Sequence, residues 1–333
     1  MKDQFSKIVG QQTVKKLLAE ALRSRQFSHA YLFEGPVGLG KEMMAREFAA
    51  AILCESDHPP CHECNSCHQV IAGTHQELRW ILPENPEKDT SLSVETIRSM
   101  IKDVYLKPYT GDWKIYVFPQ ADIMTPQAQN ALLKTLEEPP DHAVMILASA
   151  QPEKLLPTVL SRCQRATFRP VSPHDIKHWL LNRYELSEVQ ASQVAAFANG
   201  TPSRAIRLME SDAFRQLRNE FLELTDLLVD GQLSPLLDAG LALMRSKNQV
   251  LDVIGLWQEW FRDLHVLKLE GETDLLINQD QIDRLLRQAS AFRRKTVSQS
   301  IELLEESRED LVNYGNQAYV TEMLLINLLH LRQ

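Results

Sequence analysis

The sequence has no long apolar run and no excess of basic residues. Its longest apolar stretches, such as residues 48–54 and 143–147, are far too short to cross a bilayer as a helix. The opening residues 1–7 are polar and lack the apolar core of a secretory signal, so we expect a cytoplasmic protein that does not contact a membrane. Lysine and arginine number 36 against 44 aspartates and glutamates, a net charge of −8. Because proteins that grip duplex DNA unaided usually carry a basic excess, any DNA contact should be local or made through a partner.

Cysteine is scarce, and four of the five cysteines fall within residues 54–67. In a reducing compartment such a cluster indicates metal binding rather than disulfides. The predicted ligands are Cys54, Cys61, Cys64 and Cys67. Four thiolates close a tetrahedral zinc site with Zn–S distances of ~2.3 Å and leave no position for water, so the zinc would be structural. An iron–sulfur cluster is the main alternative, since it also takes four cysteines, and a redox pair needs only one of the two-residue gaps.

The length of 333 residues predicts two or three domains, and 44% hydrophobic with 24% charged residues is a globular composition. Strand and helix patterns alternate over residues 1–170, which predicts one parallel sheet covered on both faces. Residues 171–210 read as a small helical module. Residues 211–333 are helical nearly throughout, with a break near Gly271.

A glycine-rich loop follows the first predicted strand and opens a helix. Gly35, Gly38, Gly40 and Lys41 fit a phosphate loop, in which backbone amides converge on phosphate oxygens and the lysine reaches the β- and γ-phosphates. The next position should carry a hydroxyl that binds magnesium, but it is Glu42. A carboxylate there is longer and repels phosphate.

A second loss affects the same chemical step. An ATPase needs a carboxylate just after the strand at 114–118 to hold the metal, and here Pro119 and Gln120 follow that strand. Asp122 lies too far along the chain to replace it. We therefore predict that hydrolysis is lost and that nucleotide binding is weak or vestigial.

Arg162 ends a short apolar helix within the sequence Ser161-Arg162-Cys163. An arginine at a helix end is commonly a partner of the helix dipole. The alternative is an arginine finger, which reaches a neighbouring subunit's nucleotide and stabilises transition-state charge. The residues of this segment alone favour the first reading.

Together, these motifs resemble the clamp-loader branch of the AAA+ ATPases, and among its members the non-hydrolysing δ′ type. The similarity covers about residues 5–210. The matching segments are Val9-Gly10-Gln11, His29-Ala30-Tyr31-Leu32-Phe33, the four cysteines, the run from Gln129 to Pro140, Ser161-Arg162-Cys163 and Gly200-Thr201-Pro202-Ser203-Arg204.

The resemblance implies an AAA+ α/β phosphate-loop domain over residues 1–170, a helical lid over 171–210 and an all-helical collar over 211–333. It implies a five-membered ring with γ or τ and δ subunits that loads the β sliding clamp onto primed DNA. Arg162 would act in trans on ATP held by a neighbour, and Arg204 matches a position that senses the γ-phosphate in competent relatives.

Two other functions remain open from the sequence. One is an ATP-hydrolysing subunit of the γ/τ type, with Glu42 replacing the magnesium-binding hydroxyl. The other is direct DNA contact through the cysteine loop or the basic run Arg293-Arg294-Lys295, although a solvated helix face is the favoured reading of that run.

Overall fold

The computed structural model of the chain describes residues 4–83, 91–210, 212–269, 273, 276–313 and 316–332. These residues form two compact units, Met1–Ile176 with Gly200–Ser203, and Lys177–Asn199 with Arg204–Gln333. The helix break predicted near Gly271 lies outside the described residues. The predicted lid residues 177–199 and 204–210 fall in the second unit, and the division into three domains stays a prediction.

The first unit is built on a five-stranded parallel sheet in the order β2-β3-β4-β1-β5. The strands are β1 (Ala30–Glu34), β2 (Leu78–Trp80), β3 (Lys114–Phe118), β4 (Ala143–Ser149) and β5 (Gln164–Thr167). The predicted parallel sheet is confirmed. The edge strand β5 was not anticipated, because only Ala166 of its four residues is buried and it lacks an apolar pattern.

Successive residues of the central strands enter two different cores. The helices of this part are α1 (Gln12–Ser24), α2 (Lys41–Ile52), α3 (Asn65–Ala72), α4 (Val94–Val104), α5 (Pro126–Glu137) and α6 (Pro157–Leu160). The next helix, α7 (Pro173–Arg183), begins in the first unit, and its residues from Lys177 belong to the second. Tyr31 and Phe33 of β1 pack with α1 and α2 on one face, while Ala30 and Leu32 pack with α4 and α5 on the other. Such alternation, with both faces buried, explains why these strands have continuous apolar sequences.

Side-chain caps fix the starts of two helices. The Ser93 side chain accepts the backbone N–H of Thr96 at the start of α4, and Thr125 accepts that of Ala128 with Pro126 at the first helical position of α5. These bonds satisfy amides that have no partner within the helix. They fix where α4 and α5 begin.

The second unit is helical throughout its described part. Its later helices are α8 (Glu188–Phe197), α9 (Pro202–Glu210), α10 (Asp212–Asp230), α11 (Leu233–Leu243), α12 (Lys247–Leu269), α13 (Ile282–Ala291), α14 (Arg294–Asn313) and α15 (Gln317–Arg332). Its core centres on the buried rings of Trp257, Trp260 and Phe261 on α12, which contact Phe221 and Phe292. Within the ranges given above, none of the helices combines the length and the apolar character that crossing a bilayer requires.

Candidate nucleotide loop and metal centre

The phosphate loop joins β1 to α2 and depends on glycine at two positions. Gly35 has φ +140°, and a side chain there would collide with the carbonyl oxygen of Phe168. Gly38 has φ +84°, and a side chain there would collide with Ser203, whose N–H donates to the Gly38 carbonyl at 3.2 Å. The predicted loop is therefore a packed turn whose shape only glycine allows at these positions.

The Lys41 side chain folds back over this loop. Its ammonium group donates to the carbonyls of Gly35 at 2.5 Å and Pro36 at 2.7 Å. Burial lowers the pKa of Lys41, and the negative charge of Asp122 partly offsets that effect. A phosphate at the loop would have to compete with two carbonyl oxygens for this ammonium group.

Glu42 is exposed and pairs with an arginine of its own helix. Its side chain is 62% exposed, and its carboxylate lies 3.6 Å from the Arg46 guanidinium one helical turn later. Arg46 also lies over the Trp80 ring, with 4.7 Å between the guanidinium carbon and the ring centroid. The residue that replaces the magnesium-binding hydroxyl thus serves as one half of a surface ion pair on α2.

At the position of the second expected magnesium ligand, the chain has Gln120, which is exposed after β3. The nearby carboxylate of Asp122 is bound by backbone amides. One carboxylate oxygen of Asp122 accepts the N–H of Ala150 at 3.0 Å and that of Gln151 at 2.9 Å. Asp122 therefore organises the turn that follows β4, a role that the spacing in the sequence did not reveal.

Glu34, the last residue of β1, anchors the start of the phosphate loop and was missed in the sequence. Its carboxylate accepts two hydrogen bonds from Arg165 at 2.6 and 3.0 Å and one from the Thr167 hydroxyl at 2.6 Å. Burial alone would raise the pKa of Glu34, but these hydrogen bonds and the Arg165 charge outweigh burial and lower it. Both partners lie on β5, the strand that also escaped prediction.

Residues near both ends of α5 hold the segment after α5 that carries Arg162. Its guanidinium donates to Glu137 at 2.7 Å and to the carbonyl of Thr158 at 2.9 Å, and its side chain is 33% exposed. At the other end of α5, the buried Gln129 amide accepts the N–H of Leu156 at 2.7 Å and donates to the Lys154 carbonyl at 3.1 Å. The two ends of α5 thus position the segment that carries Arg162.

The four predicted metal ligands lie together. The sulfur atoms of Cys54, Cys61, Cys64 and Cys67 are all within 4.8 Å of one another, and the pairs Cys54–Cys64 and Cys61–Cys67 are 4.0 Å apart. A tetrahedron with Zn–S bonds of ~2.3 Å has S–S edges of about 3.8 Å. The donor set and its spacing fit a single tetrahedral metal ion.

Backbone amides donate to sulfur atoms of the cluster and favour the thiolate form at Cys61, whereas burial raises the pKa of Cys54 and of Cys67. The Cys61 sulfur accepts N–H groups from Glu63 and Cys64, and the Cys64 sulfur accepts that of Cys67 at the start of α3. Amide hydrogen bonds, first from Glu63 and then from Cys64, lower the pKa of Cys61 to about 6. Donors aimed at sulfur favour its charged form, which is the form that binds metal.

His62, one of the histidines close to the cysteines in the sequence, contacts α2. His62 lies with its Nε2 atom 3.1 Å from the buried Glu47 carboxylate, which also forms an ion pair with Lys7 at 2.9 Å. Glu47 belongs to α2, so this group fastens the cysteine loop to the helix that follows the phosphate loop.

Arg204 lies in the second unit, where its side chain is mostly buried. Its guanidinium is 3.3 Å from the Asp252 carboxylate on α12, opposite Gly255. Burial lowers the pKa of Arg204, while the charges of Asp252 and Glu259 raise it. The predicted contact of Arg204 with nucleotide stays a prediction.

The fold and the loop define the class of the protein. A parallel sheet that carries a glycine-rich loop between β1 and α2 is the architecture of a P-loop protein.

Comparison with known proteins narrows the class. The family described as "DNA polymerase III, delta subunit" matches residues 10–172. The delta′ subunit of Pseudomonas aeruginosa DNA polymerase III is 34% identical over 242 residues, which cover 72% of this chain and 70% of the relative. The delta′ subunit of Bacillus subtilis is 28% identical over 322 residues, which cover 96% of each chain. The tau subunit of Bacillus subtilis is 28% identical over 92% of this chain, which spans 58% of the length of that relative.

This chain belongs to the family of bacterial DNA polymerase III clamp-loader subunits that includes delta′, tau and gamma.

Proposed function

We propose that this chain is a non-hydrolysing, δ′-type subunit of a clamp-loader ring with γ or τ and δ subunits, acting on the β sliding clamp and primed DNA. The observation that carries the proposal is the ion pair of Glu42. Its largely exposed carboxylate lies 3.6 Å from the Arg46 guanidinium, so the residue at the position of the magnesium-binding hydroxyl has no hydroxyl and is paired with a cation. The hydrogen-bonded Asp122 and the exposed Gln120 support the same conclusion.

In this role Arg162 acts in trans on the nucleotide of a neighbouring subunit. Support comes from its partial exposure and from the way Gln129 and Glu137 hold its helix at both ends of α5. An arginine finger accelerates phosphoryl transfer by ~10³-fold or more at the site it serves.

The test for Arg162 uses the assembled ring with candidate γ or τ and δ subunits. Arg162→Ala should remove the part of the DNA-stimulated ATP turnover that comes from the one nucleotide site next to Arg162. The ring should still assemble. Arg23→Ala is the matched control, because Arg23 is an exposed arginine on α1 paired only with a surface glutamate. Unchanged turnover in an assembled Arg162→Ala ring would remove the assignment.

The absence of hydrolysis is tested on the purified chain. ATP turnover should be no faster than that of Lys41→Ala, with or without magnesium. Magnesium-dependent turnover that disappears in Lys41→Ala would establish the γ/τ-type alternative instead.

We also propose that the cysteine cluster holds one structural zinc ion. A [4Fe–4S] cluster binds each cysteine to a different iron, and a [2Fe–2S] cluster divides the four cysteines between two irons, so both spread the four sulfur atoms more widely than a single ion does. Here all four sulfur atoms lie within 4.8 Å of one another, which favours a single ion. Zinc bound by four thiolates would fix the loop and leave no position for water. Elemental analysis of the purified chain should give one zinc per chain and no iron.

A further inference from the structure

An exposed loop after α4 displays three large apolar side chains. We call residues 105–111 the aromatic loop. Tyr105 and Leu106 are about half exposed, and Tyr109 is 81% exposed. Such side chains do not order themselves in water, so the conformation of the loop must be set by its backbone contacts.

The backbone of the aromatic loop is fixed from two sides. The Glu77 carboxylate accepts the N–H of Tyr109 at 2.7 Å and that of Thr110 at 3.0 Å. On the other side, the His142 Nε2 atom donates between the carbonyls of Val104 and Leu106, at 3.0 and 3.1 Å. Glu77 is fully buried, although no charged partner neutralises its carboxylate within hydrogen-bond distance among the described residues.

A buried chain of hydrogen bonds connects Glu77 to the cysteine loop. The Ser66 hydroxyl donates its one hydrogen to the carbonyl of Leu53 at 2.6 Å. It therefore accepts from the Nε2 atom of His75 at 2.9 Å, which leaves Nδ1 of that ring to accept the N–H of Glu77 at 3.1 Å. Burial lowers the pKa of His75, which favours the neutral ring that this arrangement needs.

This series of hydrogen bonds starts at two residues that each lie next to a metal ligand in the sequence. Leu53 directly precedes Cys54, and Ser66 directly precedes Cys67. Ser66 is thus anchored by the same two backbone segments that the four sulfur atoms bring together. A change in the spacing of Cys54 and Cys67 must also change the Leu53–Ser66 hydrogen bond.

We propose that the four-cysteine centre sets the conformation of the aromatic loop through Ser66, His75 and Glu77. When the sulfur atoms are held by a metal ion, all of these hydrogen bonds form, and the amides of Tyr109 and Thr110 stay bound to the Glu77 carboxylate. When the ion is lost, Ser66 moves, the buried groups lose partners whose absence is costly, and the loop is released. This coupling does not depend on the role of the chain in the clamp loader.

The experiment measures hydrogen exchange in the full-length chain, with a peptide covering residues 105–113. Removing the metal with a chelator should speed exchange of the Tyr109 and Thr110 amides about tenfold, and adding back zinc alone should restore slow exchange. Ser66→Ala should keep the metal but show fast exchange both before and after chelation. His75→Asn, which keeps an acceptor for the Glu77 amide but loses the Ser66 contact, should behave in the same way.

His142→Ala is the matched control, because it frees the loop from the other side without touching the hydrogen-bond chain. Its exchange should rise, yet still respond to the chelator. Faster exchange in β4 after chelation would mean that metal loss affects more of the protein than the aromatic loop. In that case the coupling is tested by comparing exchange of the loop in metal-loaded Ser66→Ala and in metal-loaded wild type. Equal exchange in those two proteins, a Ser66→Ala chain that still responds to chelation, or a purified chain that carries no metal would each overturn the proposal.

Discussion

The two ends of α2 have kept different parts of their chemistry. At its start, the phosphate loop retains the glycines and Lys41, but Lys41 donates to carbonyls of its own loop and Glu42 pairs with Arg46. At its end, the four cysteines lie within 4.8 Å of one another with amides aimed at their sulfur atoms. At one end the lysine of a phosphate loop is engaged by the loop itself, and at the other end four metal ligands lie close together.

The difference shows which features a fold needs and which a reaction needs. The phosphate loop is also the connection between β1 and α2, so its glycines are required by packing against Phe168 and Ser203 whether or not a nucleotide is hydrolysed there. The cysteine loop contributes little apolar core, with Cys67 and Val70 its buried apolar residues, and must be held by its ligands instead.

The largest effect is expected at the cysteine end. Cys64→Ser should abolish metal binding and lower Tm by about 10 °C, because a ligand at a thousandfold excess over its Kd stabilises the folded state by about 4 kcal/mol. Serine can still cap α3 in place of Cys64, so the variant isolates the loss of the thiolate. Metal analysis and calorimetry measure the outcome.

Cys163→Ala is the control for that variant. Cys163 lies outside the cluster, and burial raises the pKa of its thiol to about 12. The control should keep its metal. A Cys64→Ser chain with unchanged metal content and Tm would show that the cluster does not stabilise this end of α2.

An intermediate effect is expected just before the phosphate loop. Glu34→Gln should lower stability at pH 7 by about 1 kcal/mol, because hydrogen bonds to a charged acceptor are replaced by weaker ones. The lowered pKa of Glu34 means that its contribution is complete above the ordinary value of 4.5 and is lost as the pH falls through the lower folded-state pKa. Urea unfolding between pH 7 and pH 3 should therefore show a smaller loss of stability for the variant than for wild type.

Thr167→Val sharpens this measurement. It removes one of the three hydrogen bonds to Glu34 and keeps the shape of the side chain, so its pH dependence should fall between those of wild type and Glu34→Gln. Identical curves for all three proteins would mean that Glu34 is not held as described.

The smallest effect is expected at the start of α2 itself. Glu42→Thr restores a hydroxyl after Lys41 but should change stability by less than about 0.5 kcal/mol, because exposed ion pairs four residues apart contribute that little. ATP turnover should remain absent, since Gln120 supplies no carboxylate. Turnover gained by this one change would show that the phosphate-loop end had lost much less than proposed.

Most of the sheet could be predicted because its central strands are buried on both faces. Their apolar runs at 30–33, 114–118 and 143–148 leave little alternative, and the caps at Ser93 and Thr125 mark helix starts through a local hydrogen bond. The cysteine cluster was equally accessible, because short gaps between ligands constrain their geometry directly. All of these signals are local in sequence.

The remaining features depend on contacts between distant residues. Glu34 meets Arg165 across 131 positions, and Asp122 meets Ala150 across 28, so no spacing rule reveals either pair. The strand β5 is recognisable only by its pairing with β1, since its own residues are mainly polar and exposed. The link from Ser66 to Glu77 likewise requires the position of the His75 ring, which the sequence does not give.

The Arg162–Glu137 ion pair can be broken at little cost in free energy. Both side chains are substantially wetted, and pairs of this kind are worth only about 0–1 kcal/mol. Arg162 can therefore leave the Glu137 carboxylate and bind a more strongly charged anion at little cost in free energy. Side chains of this kind change rotamer on a nanosecond scale. Under the proposed role in trans, engagement of Arg162 would be governed by the arrival of the other anion rather than by rearrangement of this chain.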